Sequence, residues 1–151
     1  VTLLYPFLAD EALRAEHLRA LRAVLAAFQP FDFVLGEFAE FPASATSPSV
    51  LYLAPKPADR FRDITTAIVA RFPDHPPYGG RFPTIIPHLT VAEDAGAPLA
   101  EIRAEIEPTL PIRARAAEAH LMLYGSRGWR LHTSVHLVNH APGRRGQPLS
   151  T

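Results

Sequence analysis

The sequence contains no cysteine. Disulfides, thiolate nucleophiles and cysteine-based zinc sites are therefore excluded together. The absence is compatible with a reducing, cytoplasmic setting. Lysine is nearly missing too: fourteen of the fifteen basic residues are arginine, which with the abundant alanine and proline we read as a bias toward GC-rich codons. There is no charge surplus, because fifteen basic residues face fifteen acidic ones. A protein that grips long nucleic acid usually carries excess positive charge, since neutralised phosphates supply most of that affinity. The balance here favours a small substrate or the short end of a polymer. No apolar run approaches the ~20 residues needed to cross a bilayer, so no membrane partner is expected. Neither a phosphate-cradling glycine loop nor a dinucleotide fingerprint is present. Ser126, in Gly125-Ser126-Arg127-Gly128, lacks the spacing of a nucleophile elbow.

What is present suits one domain with a sizeable core: 151 residues, 48% of them hydrophobic and 20% charged. The chain opens at Val1 rather than Met, on a strand-like run, so preceding residues are expected. Val1 to Tyr5 reads as a strand stopped by Pro6. Asp10 reads as the cap of a helix reaching about Phe28, with Leu18, Leu21, Leu25 and Phe28 as its apolar stripe. Phe31, Phe33 and Leu35 alternate as a strand whose phase slips near Gly36, which predicts a bulge. Residues 42 to 49 form a turn, Val50 to Leu53 a strand, and about Pro57 to Phe72 a helix with Phe61, Ile64, Ile68 and Phe72 on one face. The Pro/Gly-rich connection from Pro73 to Pro87 is long for a compact domain, a trait of functional loops. His88 to Glu93 reads as a strand and about Pro98 to Pro108 as a helix. Ile112–Tyr124 and Trp129–Val138 read as a hairpin. The tail, 139–151, has little to bury and is expected to be flexible.

Side by side, the first half reads strand, helix, strand, strand, helix, and the second reads strand, helix, strand, strand. Thr2 and Thr90 occupy matching places, each with a helix about eight residues on. The pattern predicts an α+β fold: a single bilobed domain over 1–138, with repeat one at about 1–72 and repeat two at about 88–138. Each lobe would be an antiparallel sheet with helices on its outer face, the motif strands meeting in a central cleft.

The chemistry sits on His88-Leu89-Thr90-Val91. Along a strand, residues i and i+2 share a face, so His88 and Thr90 project together while Leu89 and Val91 turn to the core. An imidazole exchanges protons near neutral pH, and a hydroxyl can donate to a phosphate oxygen. Alone the pattern is weak, since a chain with seven histidines yields such a match about 0.2 times by chance. The repeat supplies the context.

Val1-Thr2-Leu3-Leu4-Tyr5-Pro6-Phe7 and Pro87-His88-Leu89-Thr90-Val91-Ala92 resemble the paired motif strands of the 2H phosphoesterase superfamily, most closely its 2′-5′ RNA ligase family. Tyr78-Gly79-Gly80-Arg81-Phe82 and Trp129 add to the resemblance, which spans about 1–138. The family signature is His-x-Thr/Ser-hydrophobic, twice. The second copy is complete in His88, Thr90 and Val91. In the first, Thr2 and Leu3 fill the last two positions and Val1 the x, which puts its histidine directly ahead of Val1. Where some members carry an arginine after the second motif, Ala92, Glu93 and Asp94 stand here, a departure that argues against long RNA.

The resemblance implies a metal-independent phosphodiesterase for 2′,3′-cyclic phosphates of nucleotides or RNA ends, with 2′-5′ ligation as its reverse. It needs no cofactor. His88, Thr90 and Thr2 would be catalytic, two histidines serving as acid and base and the threonines holding phosphate oxygens. Tyr78, Arg81 and Phe82 would bind substrate as a wall or lid, though a packed loop is an equal reading. A small nucleotide or RNA end is the expected partner, and a monomer the expected state. The contrasting reading is a non-catalytic nucleotide- or RNA-binding module of the same fold.

Other histidines read more plainly. His132-Thr133-Ser134-Val135 matches the loose motif but ends a repeat rather than starting one. His132, His136 and His140 are spaced by four, which on a strand spans about 13 Å from one to the next, too far for two imidazoles to share an ion unless the chain folds back. His17, His75 and His120 have no nameable partner. Phe7 and Trp129 read as core.

Overall fold

The computed structural model describes residues 1–45, 47–93 and 98–138. The tail and His140 lie outside the described residues. Asp10 does not cap the first helix. It opens a 3-10 turn, Asp10–Ala12, and its carboxylate is engaged by Arg130 from the far end of the sequence. The helix α1 (Ala15–Leu25) starts instead after Arg14, whose backbone N–H donates to His17 Nδ1 at 3.0 Å. His17 is thus a partner at the helix start. The stripe behaves as its spacing predicts: Ala20, Leu21 and Leu25 are buried and Arg19 and Arg22 are exposed. The second helix, α2 (Asp59–Arg71), buries Phe61, Ile64, Thr65 and Ile68, and Pro73 follows its buried end at Phe72.

Two antiparallel sheets complete the fold. The larger has the order β3-β2-β1-β4, built from β1 (Phe31–Phe41), β2 (Val50–Lys56), β3 (Leu89–Glu93) and β4 (Ile112–Ala116). The register between β1 and β2 slips between Leu35 and Glu37, the bulge expected at Gly36. The smaller sheet is the hairpin β5 (Glu118–Gly125) with β6 (Gly128–His136). Its turn residues are Ser126 and Arg127, and Gly128 supplies the positive φ of 88° that closes it.

Three expectations need correction here. The run Ile112–Tyr124 is not one strand. It breaks at Ala117, whose carbonyl accepts from Leu137 N–H at 2.8 Å. Its first part joins β1 in the large sheet and its second pairs with β6. Val1–Tyr5 forms no ladder: the Leu3 carbonyl accepts from the Thr65 hydroxyl at 2.9 Å, and the Tyr5 carbonyl accepts from Tyr78 N–H at 2.7 Å. Acceptors engaged by a side chain and a loop are not open to a neighbouring strand. Finally, the α+β class stands, but the sheets do not divide by halves, since β3 and β4 of the second half flank β1 and β2 of the first.

The principal core gathers Leu21 and Leu25 from α1, Ile64 and Ile68 from α2, Phe72, and Leu137, with Leu3, Leu4 and Phe7 packed against it. Phe7 is therefore a core residue, edge-on to Phe72 at 5.1 Å. Toward the start of α2, on the same face, Phe61 is clasped by Phe31 and Phe33 at 5.0 and 5.1 Å.

Thr65 ties this core to the N-terminal segment. It is 2% exposed, and its hydroxyl lies 2.9 Å from the Leu3 carbonyl and 3.0 Å from that of Phe61. Thr65→Val keeps the shape and removes the donor. We expect a loss of about 1–2 kcal/mol, read by urea denaturation, with Thr65→Ser restoring most of it. A stability unchanged by the valine would mean that this hydroxyl does not hold the segment carrying Thr2.

Candidate active site

His88 stands one residue ahead of β3, which is an edge strand of the large sheet. Its Nδ1 lies 2.7 Å from the Ile86 carbonyl. A carbonyl can only accept, so Nδ1 carries the proton in this contact and the neutral ring keeps its lone pair on Nε2. The ring also meets Phe41 edge-on at 5.0 Å and Tyr52 at 5.4 Å, and those two rings stack on each other at 4.4 Å. A hydrogen bond and an aromatic wall thus set its orientation, the support that a reacting group needs.

Thr90 pairs with Tyr52 in the ladder, so the wall behind His88 and the strand carrying Thr90 are fixed together. Thr2 approaches from the N-terminal segment. One cleft of about 440 Å³ is lined by Thr2, Tyr78, Arg81, Phe82, His88 and Thr90. These are the six residues singled out from the sequence, brought together from three separate stretches of chain. The volume lies within the range of small-molecule sites.

Among the cleft members that sequence reasoning did not name, two bear on its chemistry. Glu93 enters it because the ladder between β2 and β3 slips: Leu51 pairs with Ala92 but Tyr52 pairs with Thr90. The extra residue shifts the alternation of the strand, so a position assigned to the opposite face turns inward. The sequence marked Glu93 only as an acidic departure after the motif. Tyr5 is the second, exposed and edge-on to Tyr78 at 6.3 Å. Leu89 also departs from expectation. It is 37% exposed rather than buried, a consequence of sitting on a five-residue edge strand.

The loop before His88 is held in a specific shape. Tyr78 has a φ of 51°, and Gly79 and Gly80 follow at 66° and 75°. Such values are uncommon for a residue with a side chain, and here the backbone bond to Tyr5 accompanies them. Phe82 continues the contact at 5.6 Å from Tyr78. Arg81 forms no ion pair among the described residues and is exposed.

Burial raises the pKa of the Tyr78 phenol above its ordinary 10.0, with smaller contributions from Tyr5 and Glu93. The phenol is therefore a hydrogen-bond donor throughout the neutral range. The sign is that of a raised pKa: the associated stability is complete below the unfolded value and is lost as pH rises through the folded one. We expect a phenolate absorbance titration to contain a late-ionising component that Tyr78→Phe removes. Persistence of that component in the variant would contradict this assignment.

The rival histidines lie elsewhere. Neither His132 nor Ser134 lines the cleft. His120 Nε2 contacts Glu118 at 2.9 Å, and His136 lies 3.6 Å from the same carboxylate. The His120 bond lowers the Glu118 pKa first, with the charges of His120 and His136 adding to it against desolvation. His75 rests against Phe7 at 5.5 Å. Among the described residues no group of three or more His, Asp or Glu is placed to hold a metal ion, and no helix is long and apolar enough to cross a membrane. Trp129, expected in the core, is 54% exposed. It stands at the turn end of a two-stranded sheet, paired with Tyr124.

A comparison with curated proteins finds no match. A family model described as the 2′-5′ RNA ligase superfamily matches residues 1–128. The match runs through both motif stretches and the cleft between them, and on it the chain belongs to the 2′-5′ RNA ligase superfamily.

Proposed function

We propose that the cleft hydrolyses 2′,3′-cyclic phosphates of nucleotides or RNA ends by histidine acid–base chemistry. One observation carries this reading. His88, fixed by the Ile86 carbonyl with Nε2 unbonded among the described residues, shares a cleft with the hydroxyls of Thr90 and Thr2.

The steps follow from those groups. A neutral imidazole takes a proton from water as its oxygen forms a bond to phosphorus. The bond from phosphorus to one ribose oxygen breaks, and a second, protonated imidazole returns a proton to that oxygen. The hydroxyls of Thr90 and Thr2 donate to the non-bridging oxygens, where negative charge accumulates. In this reading the second imidazole would come from the first motif, whose later positions are Val1, Thr2 and Leu3. The two motif segments act in this reading as a pair across the cleft. No step calls for a metal, and reversal of the same steps joins a cyclic phosphate to a hydroxyl in a 2′-5′ linkage. The molecule acts as a monomer in this reading.

A panel of 2′,3′-cyclic nucleotides and cyclic-phosphate-ended oligonucleotides, assayed in the presence of a chelator, tests the proposal. We expect ring opening to a single monophosphate isomer and a bell-shaped dependence of rate on pH. Binding of the panel without turnover would overturn it in favour of a non-catalytic nucleotide-binding module. The Glu93 carboxylate in the cleft speaks for that second reading, because it opposes an anionic transition state.

A further inference from the structure

Five exposed aromatic rings form an unbroken row that begins in the cleft and leaves it. Phe82 touches Tyr78, Tyr78 touches Tyr5, Tyr5 touches Trp129 and Trp129 touches Tyr124, at centroid steps of 5.6, 6.3, 6.0 and 5.1 Å. Each is between 42% and 70% exposed. All four contacts are edge-to-face, a geometry in which each contact takes up one face of one ring and leaves the opposite faces to the surroundings. Exposed large apolar residues scattered singly need no explanation, whereas a contiguous set does.

The row also joins two hollows. Tyr5 and Tyr78 line both the 440 Å³ cleft and a larger trough of about 1020 Å³, and Trp129 and Tyr124 line the trough alone. We infer that the row is a stacking track for a single-stranded oligonucleotide whose 3′-terminal phosphate sits at His88, its preceding bases lying on Tyr5, Trp129 and Tyr124. This rests on the reading of the cleft as a phosphate site. It deepens that reading by naming the substrate class as an oligonucleotide end of on the order of three nucleotides. A lone nucleotide would leave the outer rings unused.

The charges around the row agree. Asp10, beside the trough, is paired with Arg130, and Glu118 with His120. Glu11, the third carboxylate there, forms no ion pair among the described residues, so the trough offers a strand no net electrostatic attraction. Affinity must come from base–aromatic stacking, which is sequence-tolerant because every base has a π-face. Such binding depends only weakly on salt, unlike binding by many phosphate contacts.

Trp129 is the sole tryptophan, so its fluorescence reports the middle of the track. The probes are a four-nucleotide oligouridylate with a 3′-phosphate and uridine 3′-monophosphate, titrated against the full chain. We expect the oligonucleotide to quench Trp129 and to bind more tightly than the mononucleotide, with a shallow salt dependence. Tyr124→Ala should reduce the ratio of the two affinities about 5- to 100-fold. Tyr124 is 70% exposed, so its truncation leaves the core untouched. Equal affinity for the two probes with no quenching overturns the track, whether or not cyclic phosphates are hydrolysed. Quenching without hydrolysis of any cyclic phosphate supports the track and overturns the proposed reaction instead. Self-association of the free protein that Tyr124→Ala abolishes would make the row a protein interface and overturn the inference.

Discussion

Replacing His88 with alanine is expected to lower kcat/KM on 2′,3′-cyclic phosphates by about 10²- to 10⁴-fold. The fold should survive the change. His88 is only half-buried, and the Phe41–Tyr52 stack behind it is made without it. The variant ought therefore to keep its circular dichroism spectrum and melting temperature while losing turnover. A lost proton acceptor should also remove one limb of the pH–rate profile, which mere displacement of substrate would not do. Retention of full activity by the alanine variant on every cyclic phosphate tested would rule out His88 as an acid–base group. Thr90→Val serves as the companion. It takes away a donor to a phosphate oxygen but no proton carrier, so it should lower the rate and leave both limbs in place.

The largest effect on stability is expected from Phe61→Ala. Phe61 is 5% exposed and held edge-to-face by Phe31 and Phe33 from the neighbouring strand. Truncation removes the buried ring and both ring contacts, at a cost of about 3–5 kcal/mol. Against a total stability on the order of 5–15 kcal/mol, that is a large share. For a chain of this size it corresponds to a fall in Tm of about 10 °C. The effect should also reach the cleft, because Phe61 lies on α2 one turn before Thr65, which holds the segment bearing Thr2. A loss of less than about 1 kcal/mol would show that the clasp adds little to packing.

The sequence carried these features unevenly, for physical reasons. Helical stripes were legible at Leu21, Leu25, Ile64 and Ile68 because a 3.6-residue repeat survives whatever the helix packs on. The bulge at Gly36 was legible because a break in alternation is itself a local signal. Part of the cleft lining was legible, since His88 and Thr90 were placed on one strand face and Tyr78, Arg81 and Phe82 in the loop feeding it. Tertiary partners were not. Asp10 has the composition of a cap, yet Arg130, remote in sequence, takes its carboxylate. Ala117 bears no mark of the corner where one apolar-alternating run leaves one sheet for another. Glu93 turns into the cleft through a slip that depends on β2, and Trp129 is exposed because its sheet has two strands. Each of these outcomes is set by a neighbour that local pattern does not name.

The strand order β3-β2-β1-β4 has one more implication. The first half of the sequence supplies the middle of the large sheet and the second half supplies both its borders. A chain severed in the loop between Pro73 and Pro87 would yield one fragment with two raw, unpaired edges and another with edge strands and nothing to border. Unpaired edges recruit other chains, so neither piece would be a self-sufficient module. The β3 strand beside His88 is thus also a short border that covers the longer edge of β2.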